Sequence, residues 1–199
     1  MIIPAPSFIP DLDQIVALIA LAVAGGPGGA RAPSPTVVID GPSGAGKSTV
    51  ADYLVANWPT VADSSAVQLV RLDDIYPGWS GLAAGAQVAQ GILKARSLSE
   101  VGSWQRYDWT SAALTTWHEI QPDVPLILEG CGALSERALT SANVRLWVTV
   151  AEDTRRQRAL SRGGEDFESH WDEWDVQFAQ HTARENPRRF ANMILVATQ

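Results

Sequence analysis

Cysteine is all but missing: Cys131 is the only one in 199 residues. No internal disulfide can form and no cysteine cluster can hold a metal, which suits a reducing cytoplasm. Lysine is nearly as scarce, with only Lys47 and Lys94 among 15 basic residues. Acidic residues number 22, giving a formal charge of −7. With no basic surplus to neutralise phosphates, a general nucleic-acid partner is not expected. Long apolar runs are lacking too. The best candidate, residues 15–24, is ten residues long and is preceded by Asp11 and Asp13 rather than by Lys or Arg. It fits neither a bilayer span nor a signal peptide, so no membrane partner is expected. It reads instead as a helix N-capped by Asp11 that packs Ile15, Leu18, Ile19 and Ala22 on the domain. A Gly/Pro-rich linker at residues 25–35 ends it, dividing the chain into an N-terminal helix with linker (1–35) and a main domain (36–199).

What is present is concentrated in residues 36–49, TVVIDGPSGAGKST. The apolar run Val37-Val38-Ile39 reads as a buried parallel strand. Gly41, Pro42, Ser43, Gly44, Ala45, Gly46, Lys47 and Ser48 then match G-x-x-x-x-G-K-[ST], with Thr49 opening a helix that shows Val50, Tyr53, Leu54 and Trp58 at helical spacing. Strand, glycine loop and helix are the context that makes this motif a phosphate cradle. The glycines let successive N–H groups curl inward at a helix N-terminus. Lys47 reaches β- and γ-phosphates, and the Ser48 hydroxyl ligates Mg²⁺. ATP and Mg²⁺ are the expected cofactors.

Further strands are expected at residues 67–72, 125–128, 144–150 and 193–197. Helices follow the P-loop to about residue 58, then run to about residue 93, over 111–119 capped by Thr110, and from Ser135. Residues 104–110 show no clean period. An arginine-rich helix from residue 151 is expected to break at Gly163 and Gly164, with a second helix over 167–178. Strands alternating with helices imply an α/β, doubly wound parallel sheet.

Phosphoryl transfer needs held phosphates, a metal, a proton acceptor and cations. Asp73 follows a strand end, where ligands gather in open α/β sheets. It suits a general base or a metal ligand through water; the alternative is a helix N-cap. Asp74 has the weaker claim. Glu129 ends its strand as a Walker B carboxylate would, poised over Mg²⁺. Arg158 and Arg162 either fold over the phosphates as a lid or form a solvated helix face. His118, His170 and His181 have no ligand spacing. Trp79 and Trp109 flank the acceptor side and could stack on a ring. No N-K-x-D, no D-x-x-G after the P-loop and no LSGGQ-type signature occurs, which leaves a small-molecule kinase.

The stretches IDGPSGAGKST, LDDIY, LILEG, residues 153–158 (DTRRQR) and residues 187–192 (PRRFAN) together resemble the uridine kinase and phosphoribulokinase-like P-loop kinases. The resemblance implies a five-stranded P-loop NTPase sheet in 2-3-1-4-5 order, helices on both faces and a short lid near residues 158–170. It implies Asp73 as the base for a nucleoside hydroxyl, Tyr76 and Asp108 beside the sugar, Glu129 by the metal, and Arg158 and Arg162 in the lid. Tyr107-Asp108-Trp109 matches the family's sugar-binding stretch in part, and the family's base-gripping β-hairpin is not evident in residues 78–105. An acceptor that is already a nucleotide would need cations nearby; Arg106 and Arg96 are the candidates. A module that binds ATP without catalysis is the third reading. Oligomeric state stays open, a homo-oligomer included.

Overall fold

The computed structural model describes residues 9–23, 34–59 and 67–197. The expected linker lies largely outside them. The strands are β1 (Thr36–Asp40), β2 (Gln68–Arg71), β3 (Gly102–Asp108), β4 (Ala113–Ile120), β5 (Leu126–Glu129), β6 (Val144–Thr149) and β7 (Met193–Val196). Five of them form a parallel sheet in the order β2-β5-β1-β6-β7, with β3 and β4 paired separately. Counted along the sheet's own five strands, the order is 2-3-1-4-5, as expected for a P-loop NTPase. β1 sits between β5 and β6, with Ile39 opposite Glu129 and Asp40 opposite Trp147.

The two central strands β1 and β5 are buried throughout, as a sheet covered on both faces requires. Because side chains alternate along a strand, β1 sends Val38 to one core and Val37 and Ile39 to the other. The helices are α1 (Ile9–Val23), α2 (Lys47–Ala56), α3 (Leu82–Ser97), α4 (Ala138–Ser141) and α5 (Glu152–Glu185). The first core takes α3, α4, the base of the β3–β4 hairpin and Trp174 and Phe178 of α5. The second takes α1 and α2. Ile15 and Ile19 of α1 are fully buried beside Val37 and Ile39.

Four expectations need correction. The segment 111–119 is not a helix but most of β4, and residues 104–110 contribute to β3. Together these form the hairpin that residues 78–105 had not suggested. β-Branched Thr115 and Thr116 and aromatic Trp117 suit a strand, and pairing with β3 decides the matter: Trp104 stacks on His118 with centroids 4.4 Å apart. Ala112, at φ 51°, makes the turn. α1 begins at Ile9, so Asp11 lies within its first turn rather than capping it. Its buried stripe is Leu12, Ile15 and Ile19, while Leu18 is exposed.

The fourth correction concerns α5, which stays helical through Gly163 and Gly164. At 1.5 Å per residue, a straight helix would separate Arg155 from Asp175 by about 30 Å. Their side chains form an ion pair at 2.7 Å, and the Arg155 guanidinium lies 5.0 Å from the Trp171 ring. α5 therefore folds back between Arg155 and Trp171, the stretch holding both glycines, where sharp helix bends are tolerated. One bent helix replaces two separate ones.

Candidate functional site

The P-loop curls because three of its glycines adopt positive φ: Gly41 at 142°, Gly44 at 78° and Gly46 at 102°. Two of these positions have no room for a side chain. A Cβ on Gly41 would lie 2.0 Å from the Val148 carbonyl oxygen, and one on Gly44 would lie 2.0 Å from that of Arg155. Gly46 caps α2 with no side chain satisfying the helix's first N–H groups. Those donors, together with the positive end of the helix, are suited to an anion. Lys47 is 8 % exposed, and its Nζ donates to the carbonyls of Gly41 (2.9 Å) and Pro42 (3.0 Å). Ala45 is buried beneath the loop, whereas Thr49 faces solvent on α2.

The strand ends bring the acids in. Glu129 is 2 % exposed at the end of β5, and its Oε1 has no hydrogen-bond partner. Arg71 Nη1 stands 3.7 Å from that oxygen. Burial raises the Glu129 pKa, against the pull of the Lys47 ammonium and the Ser48 hydroxyl beside it. An orphaned buried carboxylate oxygen next to a serine hydroxyl is the donor set that a phosphate-bound Mg²⁺ uses. Among the described residues no group of three or more His, Cys, Asp or Glu could hold a metal. A metal here would need the phosphates' own oxygens.

Asp73 sits in a 3₁₀ turn, Leu72–Asp74, directly after β2. The cap residue of that turn is Arg71, and no side chain caps it, so the alternative reading of Asp73 as an N-cap does not hold. Its backbone carbonyl accepts from Trp109 Nε1 at 2.8 Å, and its carboxylate is exposed toward the cleft. Asp73, Lys47, Ser48, Glu129 and Tyr76 all line one cavity of about 320 Å³. Tyr76 is 1 % exposed and donates its hydroxyl proton to the Cys131 carbonyl at 2.8 Å. Trp79, Trp109, Phe167 and Trp174 close the other side. Trp79 lies 4.8 Å from Trp109 and 5.3 Å from Phe167 (centroid distances) and stacks on His170 at 4.9 Å.

The remaining candidates lie elsewhere. Arg106 pairs with Asp74 at 3.0 Å and, with Asp108, lines a neighbouring depression of about 390 Å³ that Trp109 also borders. The Asp108 carboxylate accepts from the Thr110 amide and the Ser111 hydroxyl, which closes the hairpin turn and lowers its pKa. Arg96 is at the opposite end of the sheet, donating to Thr36 Oγ1 and the Gln121 carbonyl. Arg158 is half-buried with Nε and Nη1 unpartnered. Arg162 lies on the helical backbone of α5, with its side chain outside the described residues.

Sequence reasoning missed Asp40 and Cys131. The wholly buried Asp40 carboxylate accepts from the amides of Gly41 (2.6 Å), Gly132 (2.9 Å) and Leu134 (2.9 Å), tying the P-loop to the loop after β5. Burial raises its pKa from 3.8 to about 6. Cys131 Sγ lies 3.4 Å from Lys47 Nζ, and burial raises its thiol to about 11. Phe167 and Trp174 were read only as part of a helix. For Asp40 and Cys131 the available signal was their place beside GPSGAGKS and LILEG; Phe167 and Trp174 carried none.

Solved structures share this fold, two kinases among them. A possible uridine kinase from Bacillus stearothermophilus aligns at a TM-score of 0.57 and 14% identity, covering 93% of this chain and 99% of its own. A proposed fructose transport system kinase from Silicibacter sp. TM1040 gives 0.54 and 17%, covering 90% and 98%. No curated protein matches the sequence. No helix among the described residues is long and apolar enough to cross a membrane. The P-loop, both acidic strand ends and α5 as far as Asp175 all fall within residues 37–175, which match the model of the AAA domain; the chain belongs to that family.

Proposed function

We propose that the protein is an ATP-dependent kinase that transfers the γ-phosphoryl group to a hydroxyl of a small metabolite, with a nucleoside as the best-fitting class. The reading rests on one observation. The Asp73 carboxylate, which no hydrogen bond or ion pair among the described residues engages, shares a single cleft with the Lys47 cradle and the orphaned Glu129 oxygen. In this reading Asp73 accepts the proton of the attacking hydroxyl, the work of a positioned general base. Lys47 and the amides of residues 43–49 would hold the phosphates, while Ser48 and Glu129, with Asp73 beside them, would hold Mg²⁺. Bound there, Mg²⁺ would neutralise charge shared by the β- and γ-phosphates. Arg158, whose buried Nε and Nη1 have no partner among the described residues, and Arg162 one turn on would supply cations from the lid half of α5.

Trp79, Trp109, Phe167 and Trp174 give the acceptor side large flat apolar surfaces suited to an aromatic ring. Tyr76 lines the same pocket, while Arg106 and Asp108 line the neighbouring depression that shares Trp109 with it. An acceptor that already carries phosphate fits less well: Arg96 is at the far end of the sheet and Arg106 is occupied by Asp74. Residues 36–199 serve as the kinase domain in this reading, working in the cytoplasm.

Coupled ADP-release assays on nucleosides, sugars and other alcohols test this. Asp73→Asn should lower turnover by about two to four powers of ten while ATP affinity stays within a few-fold. A wild-type protein that binds ATP and Mg²⁺ yet phosphorylates no acceptor would refute it.

A further inference from the structure

The loop after β5 has two sides. Cys131 lines the P-loop cleft, but at the next residue a Cβ on Gly132 would lie 3.3 Å from His181 Nε2. His181 opens onto a second cavity of about 530 Å³ between α4, the end of α5 and the 3₁₀ turn Pro187–Phe190. None of its lining residues lines the P-loop cleft.

Three of its buried polar atoms have no hydrogen-bond partner among the described residues. His181 is 5 % exposed, yet among the described residues neither buried ring nitrogen has a hydrogen-bond partner, and nor does the Ser135 hydroxyl. Leaving a buried polar group unsatisfied is costly, so three such atoms around one hollow mark a place built for a polar guest. The charges at the rim indicate its sign. Arg137 and Arg189 line the cavity, and neither has an ion-pair partner among the described residues. The Arg189 guanidinium rests 4.6 Å from the Phe190 ring, which restricts its swing. Of the two acids present, Glu185 is taken by Arg184 at 2.7 Å, leaving Glu136 on the exposed edge. No His, Cys, Asp and Glu cluster there could hold a metal.

We propose that this cavity is a second binding site, separate from the phosphoryl-transfer cleft, for a small organic anion bearing carboxylate or phosphate. Arg137 and Arg189 take the charge through charge-assisted hydrogen bonds, and Ser135 and His181 supply the buried hydrogen bonds.

The chain has three histidines, so imidazole NMR signals of the ¹⁵N-histidine-labelled full chain can be resolved, with His181→Gln identifying the His181 signal. The protein is first saturated with a non-hydrolysable ATP analogue and Mg²⁺, then titrated with succinate in one arm and glycerol 3-phosphate in the other. A saturable shift of the His181 signal, with His118 and His170 still, is expected from at least one probe, and the probe that acts names the group. The double variant Arg137→Ala/Arg189→Ala should weaken that binding at least tenfold, its unchanged His118 and His170 signals showing that it is folded. A His181 signal unmoved by both probes would overturn the proposal, and so would an equal shift in the double variant.

Discussion

At the scale of single residues, Asp40 shows what burial does to a carboxylate. Three backbone amides point at its carboxylate, yet burial still raises its pKa from 3.8 to about 6. Because the folded state holds this proton more tightly than the unfolded chain, the group's contribution is greatest below pH 4. It is lost as pH rises through 6. Above that pH the ionised form costs on the order of 3 kcal/mol. Asp40→Asn removes this dependence while imposing a constant penalty, since the amide nitrogen that replaces one carboxylate oxygen cannot accept and leaves a buried backbone N–H without its partner. Urea unfolding of the two proteins between pH 4 and pH 7 should therefore converge by about that amount in the variant's favour. Curves that run parallel would contradict the assignment. Glu129 is raised in the same direction, so the variant should keep part of the slope. Neither effect could be read from VVIDG or LILEG, because each arises from what the neighbouring strand places above the carboxylate.

At the scale of elements, α5 is the most instructive. Its sequence marks Gly163 and Gly164 as a weak point but does not say whether the helix stops, bends or carries on. The answer lies twenty residues apart, where Asp175 meets Arg155, which also holds Glu152 and faces Trp171. That contact pins Phe167 and Trp174 over the cleft, with Trp174 edge-on to Tyr76 at 4.8 Å. Asp175→Ala should loosen the returning arm without unfolding the domain. Hydrogen exchange of amides near residues 167–174 is expected to rise roughly tenfold, equivalent to about 1.4 kcal/mol for one lost charged contact. Unchanged protection there would mean that the aromatic contacts alone hold the arm. The hairpin failed in the sequence reading for a related reason. Trp104 and His118 are fourteen positions apart, and only pairing across β3 and β4 gives residues 113–120 an extended form.

For the whole molecule, α1 is the part most easily mistaken for an appendage. It precedes a glycine- and proline-rich stretch, yet Leu12, Ile15 and Ile19 enter the same core as Val37, Ile39 and Leu54. Burying three such side chains contributes roughly 5–9 kcal/mol, comparable to the net stability of a typical domain. A chain beginning at Ala32 should melt about 10 °C or more below the full chain, or fail to fold. Equal melting temperatures in a thermal-denaturation comparison would show that α1 is dispensable.

By itself the amino-acid sequence determined the phosphate cradle and the parallel sheet. Glycines at fixed offsets, one lysine, and apolar triplets ending in Asp or Glu act through contacts a few residues long. The 2-3-1-4-5 strand order came from the family resemblance those motifs carry. Only the tertiary structure decided which acid stands free and which is tied. Asp73 and Asp108 are the same residue type near similar turns, but one faces the cleft while the other closes a hairpin. Arg106 and Arg96 likewise part company, one bordering the site and the other bracing the far end of the sheet. A side chain's role depends on what distant segments pack against it, and no local pattern encodes that distance.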